Sequence, residues 1–249
     1  MARNDIVQPT ITEYLNQLDT DKHGLVTFLN SVGLPSSDND TFTEMIPKLQ
    51  FIPSPIVNVG QLGLKLGFST WTTIDERFDF STVTDFEGMF QTNSLNSVTS
   101  SLDTSSATNM RTMFTNCRDL RSIGLIDTSN VTNMDGMFNG CSSLTSIPQF
   151  NTSLVSNMSN MFYGATALTT VPVLNTSSVT NFGSMFQNCK NLTDDSLNNI
   201  LTMCINASSY SGTKTLYQLG FRSSNYSAAR IQALSNYNDF ITAGWTIGY

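Results

Sequence analysis

Met-Phe recurs in this chain at Met89-Phe90, Met113-Phe114, Met137-Phe138, Met161-Phe162 and Met185-Phe186, each pair 24 residues after the last. A fixed period of roughly 20–50 residues marks a repeat array, in which each unit buries its apolar face only against its neighbours. Residues 81–197 must therefore be read by column.

One column is Val83, Ala107, Val131, Val155 and Val179; the next is Phe86, Met110, Met134, Met158 and Phe182. With the Met-Phe pair they fall at offsets 0, 3, 6 and 7, the spacing of one apolar face of a two-turn helix. Thr84, Thr108, Thr132, Ser156 and Thr180, each directly after the first residue of that face and before the rest of it, predict N-caps. Asn116, Gly140, Gly164 and Asn188 follow it, where a left-handed residue ends a helix. The second half of each repeat reads as one short strand: Leu120 and Ile123, Leu144 and Ile147, Leu168 and Val171, leading to Ile126, Phe150 and Leu174. Pro148 and Pro172 cannot donate to a ladder, so the strands must be short or irregular. Asp103, Asp127, Asn151 and Asn175, each followed by Thr-Ser, turn the chain toward the next repeat. The prediction is an α/β repeat, a right-handed solenoid of short strands and two-turn helices in five units. The first unit is irregular, because Leu95 and Val98 sit one place off the Leu/Ile register.

The flanks predict other things. Residues 1–50 read as a helical attachment or oligomerisation module, with Ile11, Tyr14, Leu18, Leu25 and Val32 on one face and Gly33-Leu34-Pro35 as its stop. Within it Asp19-Thr-Asp21-Lys-His23-Gly24, followed by Thr27 and Asn30, imitates a calcium loop. His23 replaces an oxygen ligand and Asn30 the closing Glu, so a polar helix or helix-turn is the better reading. Residues 51–80, with Leu62, Leu64, Leu66 and Phe68 alternating, predict a strand-rich N-terminal cap. Residues 198–249 predict an α/β C-terminal cap. Its expected elements are a helix from Asp194 to about Asn206, a strand at Thr215–Phe221 and a helix over Ser227–Ala243.

Only 12% of residues are charged and the net charge is −7, so the clustered Lys and Arg of a nucleic-acid binder are missing. The start of the chain has no apolar secretory core, and no apolar run reaches the ~18 residues of a membrane span. Neither membrane insertion nor export is expected. Cys117, Cys141 and Cys189 share a column with Ala165, which predicts buried free thiols serving as small apolar filler. His23 has no nucleophile motif near it, and Asp194 with Asp195 read as partners of a helix N-terminus. No catalytic, cofactor or metal residue is predicted. The remaining candidate is a contact face of small uncharged residues on the strand side: Ser122, Gly124, Ser146, Pro148, Thr170 and Pro172.

The repeat DTSNVTNMDGMFNGCSSLTSIP, residues 127–148, resembles that of BspA-like leucine-rich-repeat proteins. The resemblance covers about half the chain and implies a leucine-rich-repeat-like solenoid used for adhesion at surfaces. The flanks are similar to something else. Leu18-Asp-Thr-Asp-Lys22 with Leu25-Val26, and Thr41-Phe-Thr-Glu-Met-Ile-Pro-Lys48, resemble a helical module of tail and fibre proteins from phages of Gram-positive bacteria. Leu234–Tyr249 resembles the ending of phage-encoded repeat proteins. These likenesses imply a virion protein assembled in the host cytoplasm, attached to other virion proteins through its N-terminal module. They also imply a homo-oligomer, a trimer if it is a fibre, with a host-surface glycan or protein as its target. The alternatives are an architectural head fibre, collar or tail decoration, and a bacterial surface adhesin.

Overall fold

The computed structural model describes residues 57–58, 74, 78–98, 102–222 and 224–248. The N-terminal module, its calcium-loop-like stretch at Asp19–Asn30 and most of the 51–80 cap lie outside the described residues. The chain divides into two compact units, Met1–Leu64 with Asp75–Val83, and Lys65–Ile74 with Thr84–Tyr249. In the first, β1 (Val57–Asn58) pairs in parallel with β2 (Phe78–Asp79).

In the second, successive 24-residue repeats, here called coils, bond to one another at equivalent positions. Parallel bridges join Asp85 to Asn109, Asn109 to Asn133, Asn133 to Asn157, and Asn157 to Asn181. The segment of each coil predicted as a two-turn helix is instead a run of turns. Met134, Gly136, Phe138 and Gly140 donate their N–H groups to Asn157, Ser159, Met161 and Tyr163 of the next coil at 2.7–2.9 Å. The residues between them close turns three residues back, Met137 on Met134, Asn139 on Gly136 and Cys141 on Phe138. Two left-handed residues per coil exclude an α-helix: φ is +62° at Gly136 and +74° at Gly140, with Thr112 and Asn116, Asn160 and Gly164, and Ser184 and Asn188 in the same columns. Seven residues are too few to support a helix by themselves, and the neighbouring coil accepts half of their N–H groups.

The Thr/Ser column likewise does not cap helices. Thr108, Thr132, Ser156 and Thr180 each donate their hydroxyl to the carbonyl of the same column in the preceding coil, at 3.1–3.2 Å. The neighbouring Asp85, Asn109, Asn133, Asn157 and Asn181 take the local role, accepting through Oδ1 from the N–H two residues on. Asp103, Asp127, Asn151 and Asn175 make the same contact with Ser105, Ser129, Ser153 and Ser177, which forms the predicted turn.

On the strand side, pairing is minimal. Ser97–Val98 (β3) pairs in parallel with Ser122–Ile123 (β4), and Ser146 bridges Thr170. β3 and β4 are 25 residues apart, the slip predicted from Leu95 and Val98.

Inside, the columns become stacks. The rings of Phe90, Phe114, Phe138, Phe162 and Phe186 succeed one another at 5.5–5.8 Å, within 18° of parallel. Val, Met and Cys/Ala residues of the same coils are fully buried around them.

The last coil is closed by two devices. Thr215–Phe221, predicted as a strand, is a further run of turns: Ser184 and Phe186 donate to Gln218 and Leu219, and Phe221 covers Phe186 at 5.9 Å with its ring tilted by 53°. Its outer edge pairs with the C-terminal stretch through a bridge from Thr215 to Thr246. The second device is α1 (Asp194–Asn206), whose side chains stand in for another strand. Ser196 Oγ accepts from Val171 N–H and donates to Thr169 O, while Asn199 Nδ2 donates to Val171 O. Thr193 caps α1 by accepting from Ser196 N–H, and Asp194 pairs with Arg230 at 2.7 Å. The helix predicted over Ser227–Ala243 is two, α2 (Ala228–Gln232) and α3 (Tyr237–Thr242). Ser235 and Asn236 bond to Asn198 of α1 between them, which breaks the run.

Gly220 is obligatory at this junction. Its φ is +95°, and a Cβ there would stand 2.6 Å from the backbone N of Gln187. Gly220→Ala is expected to lower stability by about 2–3 kcal/mol in urea unfolding. Phe138→Ala, which breaks stacking with Phe114, Phe150 and Phe162, is expected to cost about 3–5 kcal/mol in the same measurement.

Candidate functional site

The structure places the predicted strand-side residues in three successive coils. Ser122 lies in β4 and is exposed, as is Thr170, which bridges Ser146. Gly124 donates its N–H to Val98 O at 2.6 Å, and Pro148 and Pro172 are half-buried beside them. Thr145 N–H on Arg121 O and Thr169 N–H on Thr145 O hold these coils in register. The result is a face of hydroxyls and short apolar groups with little charge, held in register by these bonds.

The sequence columns did not single out two neighbouring features. Leu125 is 70% exposed, next to the strand face. A groove of about 510 Å³ runs between the turn at Gln149–Thr152, the next coil at Val173–Ser177, and Asn206 at the end of α1. Gln149 Nε2 bridges its wall by donating to Val173 O at 2.9 Å.

A second concavity, about 300 Å³, opens at the corner between the first two coils and is lined by Thr92, Asn93, Ser94, Asn116, Arg118 and Asp119. Asn93 is 2% exposed, and neither its Nδ2 nor its Oδ1 has a hydrogen-bond partner. An orphaned buried polar group costs about 1–3 kcal/mol. The same column holds Cys117, Cys141, Ala165 and Cys189 in the other coils. The signal was present in the sequence as an amide standing in a column of small apolar residues.

The thiols explain themselves. All four cysteines are free and buried. Cys117, Cys141 and Cys189 donate S–H to the carbonyls of Phe90, Phe114 and Phe162 at 3.0–3.1 Å. Burial pushes Cys117 and Cys189 up to about 12, and raises Cys141 and Cys204 as well. Arg111 spans three coils, with Glu87 at 2.9 Å and Asp135 at 3.2 Å, in water that screens both pairs. Among the described residues no three His, Cys, Asp or Glu side chains gather to hold a metal, and no helix is long and apolar enough to cross a membrane.

These coils define a repeat protein whose recurring residues serve core, turn and inter-coil ladder. Residues 67–144 and 121–211 each match the family described as Mycoplasma protein of unknown function, DUF285. The two matches together span 67–211, more than half of the chain, so the protein belongs to this family of BspA-like repeats. No curated protein and no solved structure matches.

Because the folded thiols hold their protons up to about 12, whereas an unfolded thiol loses its proton near ~8.5, the unfolded state binds fewer protons across that window. Stability contributed by the thiols is therefore full below ~8.5 and falls as pH rises toward about 12. The urea midpoint is expected to drop between about pH 8 and pH 10, and to drop less in a Cys117→Ala/Cys189→Ala variant. A thiol reagent is expected to label none of the four cysteines before unfolding.

Proposed function

We propose that this protein is a non-enzymatic recognition component of a phage particle, of tail-fibre or receptor-binding type. In this reading the coils form a leucine-rich-repeat-like solenoid that offers its strand side to a glycan or protein of the host surface. The observation that carries it is the register of Ser122, Ser146 and Thr170 in successive coils: a stiff, nearly uncharged surface whose side chains have no core task. Rigid faces built from equivalent repeat positions suit contact with extended or repeating partners. Support for the particle itself comes from the flanking resemblances at 18–48 and 234–249. The N-terminal module would join other virion proteins or sister chains.

The family match favours a second reading, a bacterial surface adhesin, because its description is of a bacterial protein. The two readings separate by location. Native protein found in purified particles supports the first, and native protein confined to a cell-wall fraction supports the second.

Contact through the strand face has its own test. Purified protein is expected to bind host cells and to block phage adsorption, and a protein that does neither sinks the receptor reading. A Ser146→Arg/Thr170→Arg variant is expected to keep its stability within about 0.5 kcal/mol and to lose the competition.

A further inference from the structure

The corner between the first two coils departs from the repeat in three ways at one place. Its first coil runs from Asn93 to Leu95 with a single residue between, where the second runs from Cys117 to Leu120 with two. That missing residue produces the 25-residue offset of β3 against β4 and leaves the concavity of about 300 Å³. Next to it Thr92 has φ +58°, in a column otherwise held by Asn116, Gly140, Gly164 and Asn188. A β-branched residue is ill suited to that conformation. Finally, Asn93 stands in the wall of the concavity with its amide covered and neither its donor nor its acceptor satisfied.

The core requires none of this, since Cys or Ala fills the column in every other coil. Local rules broken together, with no structural gain, mark a place kept for contact. The chemistry of the lining says with what. Asn93 offers one planar donor–acceptor pair, the complement of an acetamido group. Asn116, Arg118 and Asp119 surround it with amide, guanidinium and carboxylate, which suit ring hydroxyls. The volume stands at the lower end of ligand sites, ~300–1,000 Å³, enough for one sugar ring and small for a peptide.

We propose that this corner binds an N-acetylated hexosamine, its acetamido group paired with Asn93 and its hydroxyls with Asn116, Arg118 and Asp119. Both amide atoms of Asn93 are covered in the empty corner, so the Thr92–Ser94 turn shifts to admit the ligand. The inference rests on the recognition reading and supplies a ligand class for it, at a site separate from the strand face.

Ligand-observed NMR on the full chain tests it, with N-acetylglucosamine, glucose and N-acetylglycine N-methylamide as probes. N-acetylglucosamine is expected to bind saturably, and glucose and the peptide amide at least about tenfold more weakly. Asn93→Cys is expected to raise the unfolding temperature and to weaken N-acetylglucosamine binding about tenfold or more. Arg118→Ala and Asp119→Asn, on the exposed rim, are expected to weaken it with the fold unchanged, and they decide the matter if Asn93→Cys does not fold. Absence of saturable binding by the unaltered chain overturns the proposal, as do equal binding by Asn93→Cys and equal binding of the peptide amide. Failure here with adsorption competition intact removes the sugar site alone; loss of both removes the recognition reading.

Discussion

Every coil of this protein leaves half of its turn-side N–H groups for the coil that follows. Met134, Gly136, Phe138 and Gly140 have no local acceptor and are satisfied only by Asn157, Ser159, Met161 and Tyr163. A buried backbone donor without a partner is expensive, so no coil is stable alone and the stack must be continuous. The aromatic column follows from this constraint. Once the backbones are in register, Phe114, Phe138 and Phe162 lie nearly face to face at 5.6–5.8 Å, and each ring covers the next.

The same constraint assigns the polar residues. Thr132 and Ser156 ladder their hydroxyls from coil to coil, and Asn133 and Asn157 fold their own turns by accepting two residues on. Low charge fits this arrangement, because like charges stacked every 24 residues would repel. In the column of Glu87, Arg111 and Asp135 the charge alternates in sign.

Much of this was legible in the residues. The period, the core columns, the Cys/Ala filler, the left-handed positions at Asn116 and Gly140, and the slip at Leu95 all follow from side-chain type. The turn-for-helix substitution did not, because offsets of 0, 3, 6 and 7 place apolar groups on one side of either structure. Gly88, Gly136 and the Asn and Ser of their column were the distinguishing residues, left-handed in the middle of the segment. The Thr215–Phe221 coil was hidden by the 35-residue spacing from Phe186 to Phe221, too long a step for the period to reveal. Of the two proposed contact regions, the strand face could be read from the columns. At the corner the sequence shows an amide in a column of small apolar residues, and burial and hydrogen bonding add that this amide is unpartnered.

Ser196 and Asn199 supply from a helix what a following coil would have supplied from its backbone. The strand side of the stack therefore ends by side-chain chemistry, while the turn side ends on the backbone of Gln218 and Leu219. A 24-residue block added upstream would leave the contacts of this plug with Thr169 and Val171 as they are.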